Sequence, residues 1–412
     1  MIYATITQNQ GIIKERDMKQ YISANQTIGK NDSERIQAAI ELAKQNGTNA
    51  VCIPKRNERT GEDLWVIEET ITLPSDIEIL VDDAHLVLAD GKYLNMFKTG
   101  SPEKNTVADE TKNVTIRGRG NAILDGGVYN GLSEKNCCTD GRPHIHYNTT
   151  LLFFNTSNLL VENLAVIHQR WWGITNIFVH HATYRNIHFE ADFSRIDENG
   201  VHYPNQYPTT YKEVYIKNAD GIDLRVGCHD FLIENISGFT EDDTIALTAL
   251  GGWERQYSYF IADGDADIHD VTIKNIATES YCANVRLLND NGLKLYNVTI
   301  DGVHSIRSPR TAHNNSAVRV GDMVYADTHS VLGDTHHIAI RNIVSESEIG
   351  VTFCKGLVDS SIENVTVLQG TMGVAAFKKY EAVLKNCRIE NILPLAEGSV
   401  DFCKDRITFI ND

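Results

Sequence analysis

The sequence lacks the features that mark membrane proteins and multidomain chains. No apolar run approaches the roughly 18 residues that a membrane-spanning helix needs. Proline is scarce, with 8 residues in a chain of 412, and no linker or low-complexity segment interrupts the composition. Met1–Thr7 has neither the basic nor the apolar region of a secretory leader. As it stands, the sequence predicts a cytoplasmic protein, or a secreted or periplasmic one if a leader has been removed.

The cysteines also lack a pattern. The chain has 8 of them, and apart from the adjacent pair Cys137–Cys138 they are scattered without the spacing of metal ligands. Scattered thiols in a large chain are typical of buried, reduced side chains, which mildly favours the cytoplasm. The sequence therefore predicts no metal site and no cofactor.

Basic residues are in the minority, with 38 Lys and Arg against 55 Asp and Glu, so the net charge is −17. This balance argues against nucleic acid and against anionic membranes as partners. It also weighs against a highly anionic polymer as substrate, unless a cleft carries a local basic patch. The oligomeric state is not predicted.

What the sequence does contain is a repeat. Asparagine recurs before an apolar or β-favouring residue at intervals of about 22 residues, or about twice that, at Asn113, Asn163, Asn186, Asn235, Asn275, Asn297, Asn342, Asn364 and Asn386. A repeat of this length holds about three short strands, which is typical of a parallel β-helix, a solenoid of stacked coils. We predict one all-β solenoid domain over residues 1–412, with coils from about 50 to 400 and asparagines that stack and exchange hydrogen bonds.

A short helix is expected to close the first coil. Asn31–Glu34 is a helix start signal in which Asp32 or Ser33 would be the cap. Ile36, Ala39, Ile40 and Ala43 then share one helical face, and Gly47 follows the end. We predict an amphipathic helix over about residues 31–47, which covers strand edges that would otherwise invite aggregation.

Two acidic motifs lie about one coil apart. Asn218–Asp223 reads Asn-Ala-Asp-Gly-Ile-Asp, and Glu241–Leu247 reads Glu-Asp-Asp-Thr-Ile-Ala-Leu. If 22 residues make one turn, Asp220 and Asp242 lie on neighbouring coils of one wall. Strand alternation places Asp223 outward rather than Asp220, unless a turn just before the strand resets the count. Clustered carboxylates repel one another, so folding alone rarely requires them.

Two long interruptions flank these motifs, at about residues 192–210 and 251–265. Both contain polar and aromatic side chains suited to sugars: Arg195, Asp197, Glu198, His202, Tyr203, Asn205, Tyr207, Trp253, Arg255, Tyr257 and Tyr259. Loops mounted on a rigid scaffold often carry binding groups. Solvated turns are the alternative interpretation.

Taken together, the motifs resemble the polygalacturonases, the family 28 glycoside hydrolases, over about residues 32–320. The resemblance implies a right-handed parallel β-helix that hydrolyses glycosidic bonds with inversion. It implies that Asp220 and Asp243 activate water and that Asp242 protonates the leaving oxygen. An inverting hydrolase needs one protonated and one ionised carboxyl, and mutual repulsion helps to supply both states.

The sequence departs from that family at two places. The coil after the acid pair, Tyr281–Leu287, lacks the family's histidine, and Ala317–Val320 keeps one of two basic residues that bind a substrate carboxylate. Asn284, Arg286 and Arg319 are predicted to contact substrate instead, together with Trp253 and Asp223. A rhamnogalacturonan-like, modified or neutral sugar is therefore favoured over plain galacturonate. Six histidines are candidates to line the cleft: His144, His146, His180, His181, His202 and His229.

Two other functions remain open at this stage. A non-catalytic carbohydrate-binding β-helix would retain the wall without the chemistry. A polysaccharide lyase or an epimerase would need Ca²⁺ ligands and a base such as Arg286 or Arg319 with a much lowered pKa. The leading prediction is a glycoside hydrolase that acts on a pectic or related oligo- or polysaccharide.

Overall fold

The computed structural model is a solenoid of short strands. It describes residues 19–127, 145–169, 171–191, 195–196, 202–203, 219–311, 316–322, 330–376 and 380–411. None of the helices in these ranges is long and apolar enough to cross a membrane.

The strands in chain order are β1 Ile22–Ser23, β2 Ala50–Pro54, β3 Trp65–Ile67, β4 Ile71–Thr72, β5 Ile77–Asp82, β6 His85–Leu88, β7 Phe97–Lys98, β8 Thr111–Arg119, β9 Ile123–Asp125, β10 Leu151–Ile167, β11 Trp172–Glu190, β12 Arg195–Ile196, β13 His202–Tyr203, β14 Asp220–Leu224, β15 His229–Thr240, β16 Ile245–Ala249, β17 Ile268–Ser280, β18 Ala283–Asn289, β19 Leu295–Ile306, β20 Ser316–Val320, β21 Thr335–Ser345, β22 Ile349–Phe353, β23 Leu357–Val358, β24 Ser361–Val367, β25 Met372–Ala376, β26 Ala382–Lys385, β27 Arg388–Pro394, β28 Val400–Cys403 and β29 Ile407–Ile410. The α-helices are α1 Asp32–Gln45 and α2 Gly252–Gln256, and 3-10 turns occur at Ala24–Gln26, Val107–Asp109, Ile145–Tyr147 and Pro309–Thr311.

Within the described ranges, 27 strands form one parallel sheet that winds along the molecule. Each strand pairs with its equivalent one coil later, so that β14, β16, β18, β20 and β22 make one wall. β15, β17, β19, β21 and β24 make the next wall along each coil. Only β12 and β13 pair apart from this sheet, and they are antiparallel. The prediction of an all-β parallel β-helix is confirmed.

Apolar side chains in register form the core inside the coils. Ile222, Ile245, Val285, Val318 and Val351 occupy equivalent positions on five successive strands. All five are fully buried. Each such side chain contributes about 1.5–3 kcal/mol by leaving water. This column therefore fixes both the register between coils and the face on which the alternate residues lie.

The asparagines of the repeat stack as predicted, but in two ladders rather than one. Six of the nine share one corner: Asn163, Asn186, Asn235, Asn275, Asn342 and Asn364. The Nδ2 groups of Asn186, Asn235, Asn275 and Asn364 donate to Oδ1 of the asparagine one coil earlier. Gly302 interrupts this ladder before Asn342, which donates to Asp301 instead. Asn113, Asn297 and Asn386 lie on a second ladder and donate to Asp76, Asp270 and Asp359 instead. Both ladders occupy corners where the backbone φ is about +55°, a conformation that Asn tolerates better than most residues. The asparagine repeat in the sequence does not distinguish the two corners, because both favour asparagine at a positive φ.

The N-terminal helix is confirmed, although its cap is Asn31. The Asn31 side chain accepts a hydrogen bond from the Glu34 N–H at 2.8 Å. The predicted cap Asp32 is buried and instead accepts from the Val66 N–H and pairs with Arg59, each at 2.9 Å. Ser33 likewise accepts from the N–H groups of Glu68 and Glu69. These two side chains therefore bind the helix to the first coil.

The apolar helix face is also confirmed, because Ile36, Ala39, Ile40 and Ala43 are all buried in the core. The helix ends at Gln45, and Gly47 follows with a φ of +70°. The apolar end of the first coil is thus covered by α1.

Replacing Asn235 tests the ladder. Asn235 donates to Asn186 at 3.0 Å and accepts from Asn275 at 3.3 Å, at a φ of +57°. Asn235→Ala should lower the free energy of unfolding by about 2 kcal/mol, because it removes two hydrogen bonds and strains a left-handed residue. Asn235→Gly removes the bonds without the strain and should cost less. Urea unfolding measures both, and equal stability of wild type and Asn235→Ala would contradict the prediction.

Candidate active site

The coil that carries the acidic motifs is one residue longer than the sequence interval suggested. Ile222 pairs with Ile245, and the Gly221 N–H donates to the Asp243 carbonyl at 3.0 Å. Asp220 is therefore level with Asp243, and Asp242 lies one position earlier. The two motifs therefore lie on neighbouring coils of one wall, as expected, although this turn of the solenoid holds 23 residues (Ile222 to Ile245) rather than 22.

The outward positions of this wall form a polar column. Thr175, Asp223, Ala246, Arg286 and Arg319 occupy the same position on successive strands. They alternate with the apolar column of the core, so the predicted outward direction of Asp223 and Arg286 agrees with the structure, and the register places Arg319 in the same column. Two arginines thus follow the aspartates along one surface.

Asp220 joins the aspartates of this surface although simple alternation would turn it inward. β14 begins at Asp220, so the preceding turn resets the count. The neighbouring Gly221 permits close contact between coils, because a Cβ there would lie 2.4 Å from the Thr244 carbonyl oxygen. The charges of Asp223, Asp242 and Asp243 all act on Asp220. The structure thus gathers the three predicted catalytic aspartates and Asp223 in one cluster.

A hydrogen-bonded turn holds the acid pair before β16. The hydroxyls of Thr240 and Ser280 both donate to the Asp242 carbonyl, at 3.1 and 2.7 Å. The Ala283 N–H donates to Asp243 Oδ1 at 3.1 Å. The pair is therefore fixed by the next coil and not by its own strand alone.

The four carboxyls are buried, with 4%, 1%, 8% and 2% of Asp220, Asp223, Asp242 and Asp243 exposed. Burial is the main cause that raises the pKa of each, because it disfavours the charged form. The pKa of Asp243 rises to about 7, limited by the nearby Arg286 guanidinium. The pKa values of Asp220 and Asp223 lie well above the ordinary range. Part of this cluster therefore holds protons near neutral pH.

Arg286 lies between two carboxylates. Its Nε is 2.7 Å from Asp243 Oδ2, and its Nη1 is 2.9 Å from Asp322 Oδ2. Asp322 also accepts from Nη2 of Arg319 at 2.6 Å. Asp322 thus joins both predicted substrate-binding arginines. Sequence reasoning missed it, because it follows β20 without a motif and only the Arg319–Asp322 spacing of three residues pointed to it.

Asn284 is one of the residues predicted to contact substrate. It is fully buried, and its Nδ2 donates to the carbonyl and the hydroxyl of Thr278, each at 2.8 Å. Thr278 in turn accepts from the Thr244 hydroxyl at 3.0 Å. Asn284 is the second residue of β18 and its amide group is held against Thr278, so its contact with substrate stays a prediction.

A thiol lies beside the acid pair. Ligand atoms of Asp242, Asp243 and Cys282 all lie within 4.8 Å of one another. This donor set does not suit Ca²⁺, which takes six to eight oxygen ligands. Burial and the two carboxylates raise the pKa of the Cys282 thiol well above its ordinary value, so it remains protonated.

The segment that interrupts the coils after β16 contains the short helix α2. Glu254 of α2 is fully buried and pairs with Arg225 Nε at 2.8 Å. Arg225 also donates to the Thr248 hydroxyl at 2.6 Å and lies 4.2 Å from the ring centre of Trp172. Trp253 belongs to α2, but its side chain lies outside the described residues. Of the interruption at about 192–210, the structure describes only the backbones of β12 and β13.

The candidate histidines do not form one group in the structure. His146 is buried, with its ring 4.9 Å from that of Tyr259 and 6.3 Å from that of Trp172. His180, His181 and His229 lie on the next wall along the coil, away from the aspartate-bearing strands. His144 and the side chain of His202 lie outside the described residues.

Solved structures show which proteins share this architecture. No protein-family model matches the sequence, and a search of curated proteins finds no significant match. A polygalacturonase from Erwinia carotovora ssp. carotovora is 15% identical with a TM-score of 0.54, covering 98% of this chain and 100% of that one. Its fold is the fold of this chain. A hyperthermoactive exopolygalacturonase from Thermotoga maritima is 13% identical with a TM-score of 0.54, covering 95% of this chain and 92% of that one.

A viral protein shares the β-helix as well. The tailspike protein of E. coli bacteriophage HK620, solved in complex with a pentasaccharide, is 12% identical with a TM-score of 0.53. The alignment covers 94% of this chain and 65% of the tailspike. At identities this low, the comparisons establish the parallel β-helix fold, and the chemistry rests on the residues of the site.

Replacing Asp220 should change stability with a defined pH dependence. Because its pKa is raised in the folded β-helix, the folded state binds a proton that the unfolded chain releases, and stability falls as pH rises above about 4. Asp220→Asn should therefore raise the melting temperature at pH 7. At pH 3 the gain should largely vanish, because pH 3 is about one unit below the Asp pKa of the unfolded chain and wild-type Asp220 is then mostly protonated in both states. An equal gain in melting temperature at both pH values would show that the raised pKa of Asp220 is not its cause.

Replacing Asp322 should destabilise the β-helix. Asp322→Asn leaves two buried guanidinium groups short of a carboxylate, and breaking a buried ion pair costs about 3–5 kcal/mol. Asp90→Asn changes an exposed acid and serves as the matched control, with an expected effect within about 0.5 kcal/mol. Urea unfolding at pH 7 compares the two. Similar losses in both variants would show that Asp322 does not hold the arginines.

Proposed function

We propose that this protein is an inverting glycoside hydrolase that acts on a pectic or related oligo- or polysaccharide. The observation that carries the proposal is the cluster of Asp220, Asp223, Asp242 and Asp243, buried on one wall with raised pKa values beside Arg286. Folding gains nothing from four buried carboxyls, so the cluster is better explained by chemistry. Acid and base catalysis on a glycosidic bond requires such a set.

The contacts support a division of roles within the cluster. Asp243 is paired with the Arg286 guanidinium, which favours its carboxylate form. Asp242 has no cation within ion-pair distance in the described part of the chain, and its buried Oδ1 has no hydrogen-bond partner there. We assign proton donation to the leaving oxygen to Asp242. Asp243 then activates the water on the other side of the bond as the carboxylate, and Asp220 helps to hold that water.

Spacing supports the inclusion of Asp220. The nearest ligand atoms of Asp242 and Asp243 lie within 4.8 Å of each other. An inverting mechanism places its two carboxyls about 6.5–9.5 Å apart to leave room for water. Asp220 lies one coil and one residue away from Asp242, which is about 6 Å by the coil and strand spacings, and a modest splay of the two side chains then makes room for the water.

The ion pairs of Arg286 and Arg319 bear on how much negative charge a substrate can carry. Arg286 and Arg319 share Asp322, and Arg286 also pairs with Asp243, so much of their charge is balanced inside the wall. With a net charge of −17 over the chain, a polymer dense in free carboxylates is a poor match. We therefore propose a neutral, esterified or rhamnogalacturonan-like chain rather than plain galacturonate.

The structure and sequence bear differently on the two alternatives, a lyase and a non-catalytic carbohydrate binder. A lyase would need a base, but flanking carboxylates raise the pKa of Arg286 well above its ordinary value, so Arg286 cannot accept a proton. A non-catalytic carbohydrate binder is favoured by one observation, the lack of histidine in the coil Tyr281–Leu287. The same fold in a tailspike solved with a pentasaccharide fits either function.

A product assay with an acid variant tests the proposal. Pectic and neutral oligosaccharides are incubated with the protein, and the anomer of the fresh reducing end is read by NMR. Inversion is expected, and Asp242→Asn should lower turnover by about 10²–10⁴-fold, because proton donation is lost. Asp90→Asn, an exposed acid, should leave turnover unchanged.

Three other outcomes would reject the mechanism. Retention of the anomer would exclude inversion. Ultraviolet-absorbing unsaturated ends would indicate a lyase. Saturable binding of an oligosaccharide without any product would indicate a carbohydrate binder.

A further inference from the structure

A stack of aromatic rings crosses the coils on the wall that follows the aspartate-bearing strands. The rings belong to His180, His229, His269, Tyr296 and His336. Successive ring centres are 4.8, 4.8, 4.8 and 5.0 Å apart, and their planes differ by 10° or less. The spacing equals that of the coils, so the stack fixes the orientation of each imidazole.

The residue after each ring has a positive φ, which brings its side chain next to the ring nitrogen Nδ1. In two coils that residue is an aspartate. Nδ1 of His229 lies 2.8 Å from Asp230 Oδ2, and Nδ1 of His269 lies 2.7 Å from Asp270 Oδ2. The usual arrangement therefore places the ring proton on Nδ1, where a carboxylate accepts it.

The coil of His180 differs, because the next residue is also a histidine. Nδ1 of His180 lies 2.7 Å from Nδ1 of His181. On the other side, Nε2 of His180 is 2.6 Å from Glu110 Oε1, and Nε2 of His181 is 3.8 Å from Asp230 Oδ2. A carboxylate beside Nε2 favours the proton on that nitrogen and leaves the lone pair on Nδ1. When His181 also carries its proton on Nε2, its Nδ1 lone pair faces that of His180, and a cation between the two nitrogens removes their repulsion.

We propose that His180 and His181 bind a divalent first-row transition-metal ion through their Nδ1 atoms, with water completing its coordination. Imidazole nitrogen suits Zn²⁺, Ni²⁺ and Cu²⁺. Histidines that bind metals usually donate their other ring N–H to a carboxylate, and Glu110 has this place beside His180. This site lies apart from the aspartate cluster and does not depend on the proposed hydrolase activity.

Access and geometry fit such an ion. The His181 side chain is 59% exposed and that of His180 is 32% exposed, so both can be reached from solvent. Metal–nitrogen bonds of about 2.0–2.1 Å place two ligand nitrogens about 3 Å apart. The present separation of 2.7 Å therefore needs only a small rotation of the exposed His181 ring.

The chain offers an internal control at the other end of the stack. Nδ1 of His336 lies 2.6 Å from Nδ1 of His337. No carboxylate lies within ion-pair distance of either ring in the part of the chain that the structure describes. One neutral imidazole can then donate Nδ1–H to the other, and no cation is required.

Calorimetric titration of the untagged full chain with NiCl₂ tests the proposal. Wild type should bind one Ni²⁺ more tightly than any other. His181→Asn should weaken that binding at least tenfold, and it keeps the fold because other coils carry Asn at the same corner, such as Asn158 with a φ of +54°. Glu110→Gln should weaken it about 10–100-fold. His337→Asn should leave it unchanged.

Crystals soaked in NiCl₂ should show an anomalous peak between the Nδ1 atoms of His180 and His181. The proposal is overturned if His181→Asn binds Ni²⁺ as wild type does, or if the peak lies only at the aspartate and thiol cluster of Asp242, Asp243 and Cys282. It is equally overturned if wild type binds no Ni²⁺, since a proton shared between the two imidazoles would then account for their contact.

Discussion

The structure depends on the parallel register between successive coils. Backbone hydrogen bonds and the inward apolar column of Ile222, Ile245 and Val285 fix that register. Once it is fixed, every outward residue lies directly against the equivalent residues of the coils before and after it. Residues far apart in the chain are thereby forced into contact, whether their side chains attract or repel each other.

This constraint produces three kinds of column. Asparagines at left-handed corners attract, because each amide both donates and accepts along the ladder. Imidazole and phenol rings stack at the spacing of the coils. The aspartates repel, and their burial costs further free energy, which shows in the raised pKa values of Asp220, Asp223, Asp242 and Asp243. A rigid scaffold tolerates that cost because its core columns are long and uninterrupted.

The arginines limit the cost of the acid cluster. Arg286 pairs with Asp243, and Asp322 in turn pairs with both Arg286 and Arg319. The result is a chain of alternating charges at the edge of the cluster, in which Asp243 is paired with a cation, whereas Asp220, Asp223 and Asp242 have no ion pair among the described residues. The same chain of charges ties substrate preference to acid–base chemistry, because a guanidinium that holds a catalytic carboxylate is less available to a substrate carboxylate.

The sequence by itself determined the coils, the capping helix and the approach of the two acidic motifs, because apolar alternation and corner asparagines are local requirements that a linear pattern records. It did not determine the exact length of each coil, so the register that sets Asp220 level with Asp243 came only from the structure. Tertiary structure alone decided that Asn284 is held against Thr278, that Asp322 joins two arginines, and that His180 and His181 face each other beside Glu110. Each of these depends on contacts between coils that are separated by tens of residues, and a side chain's neighbours across coils are set by stacking and not by its neighbours in the chain.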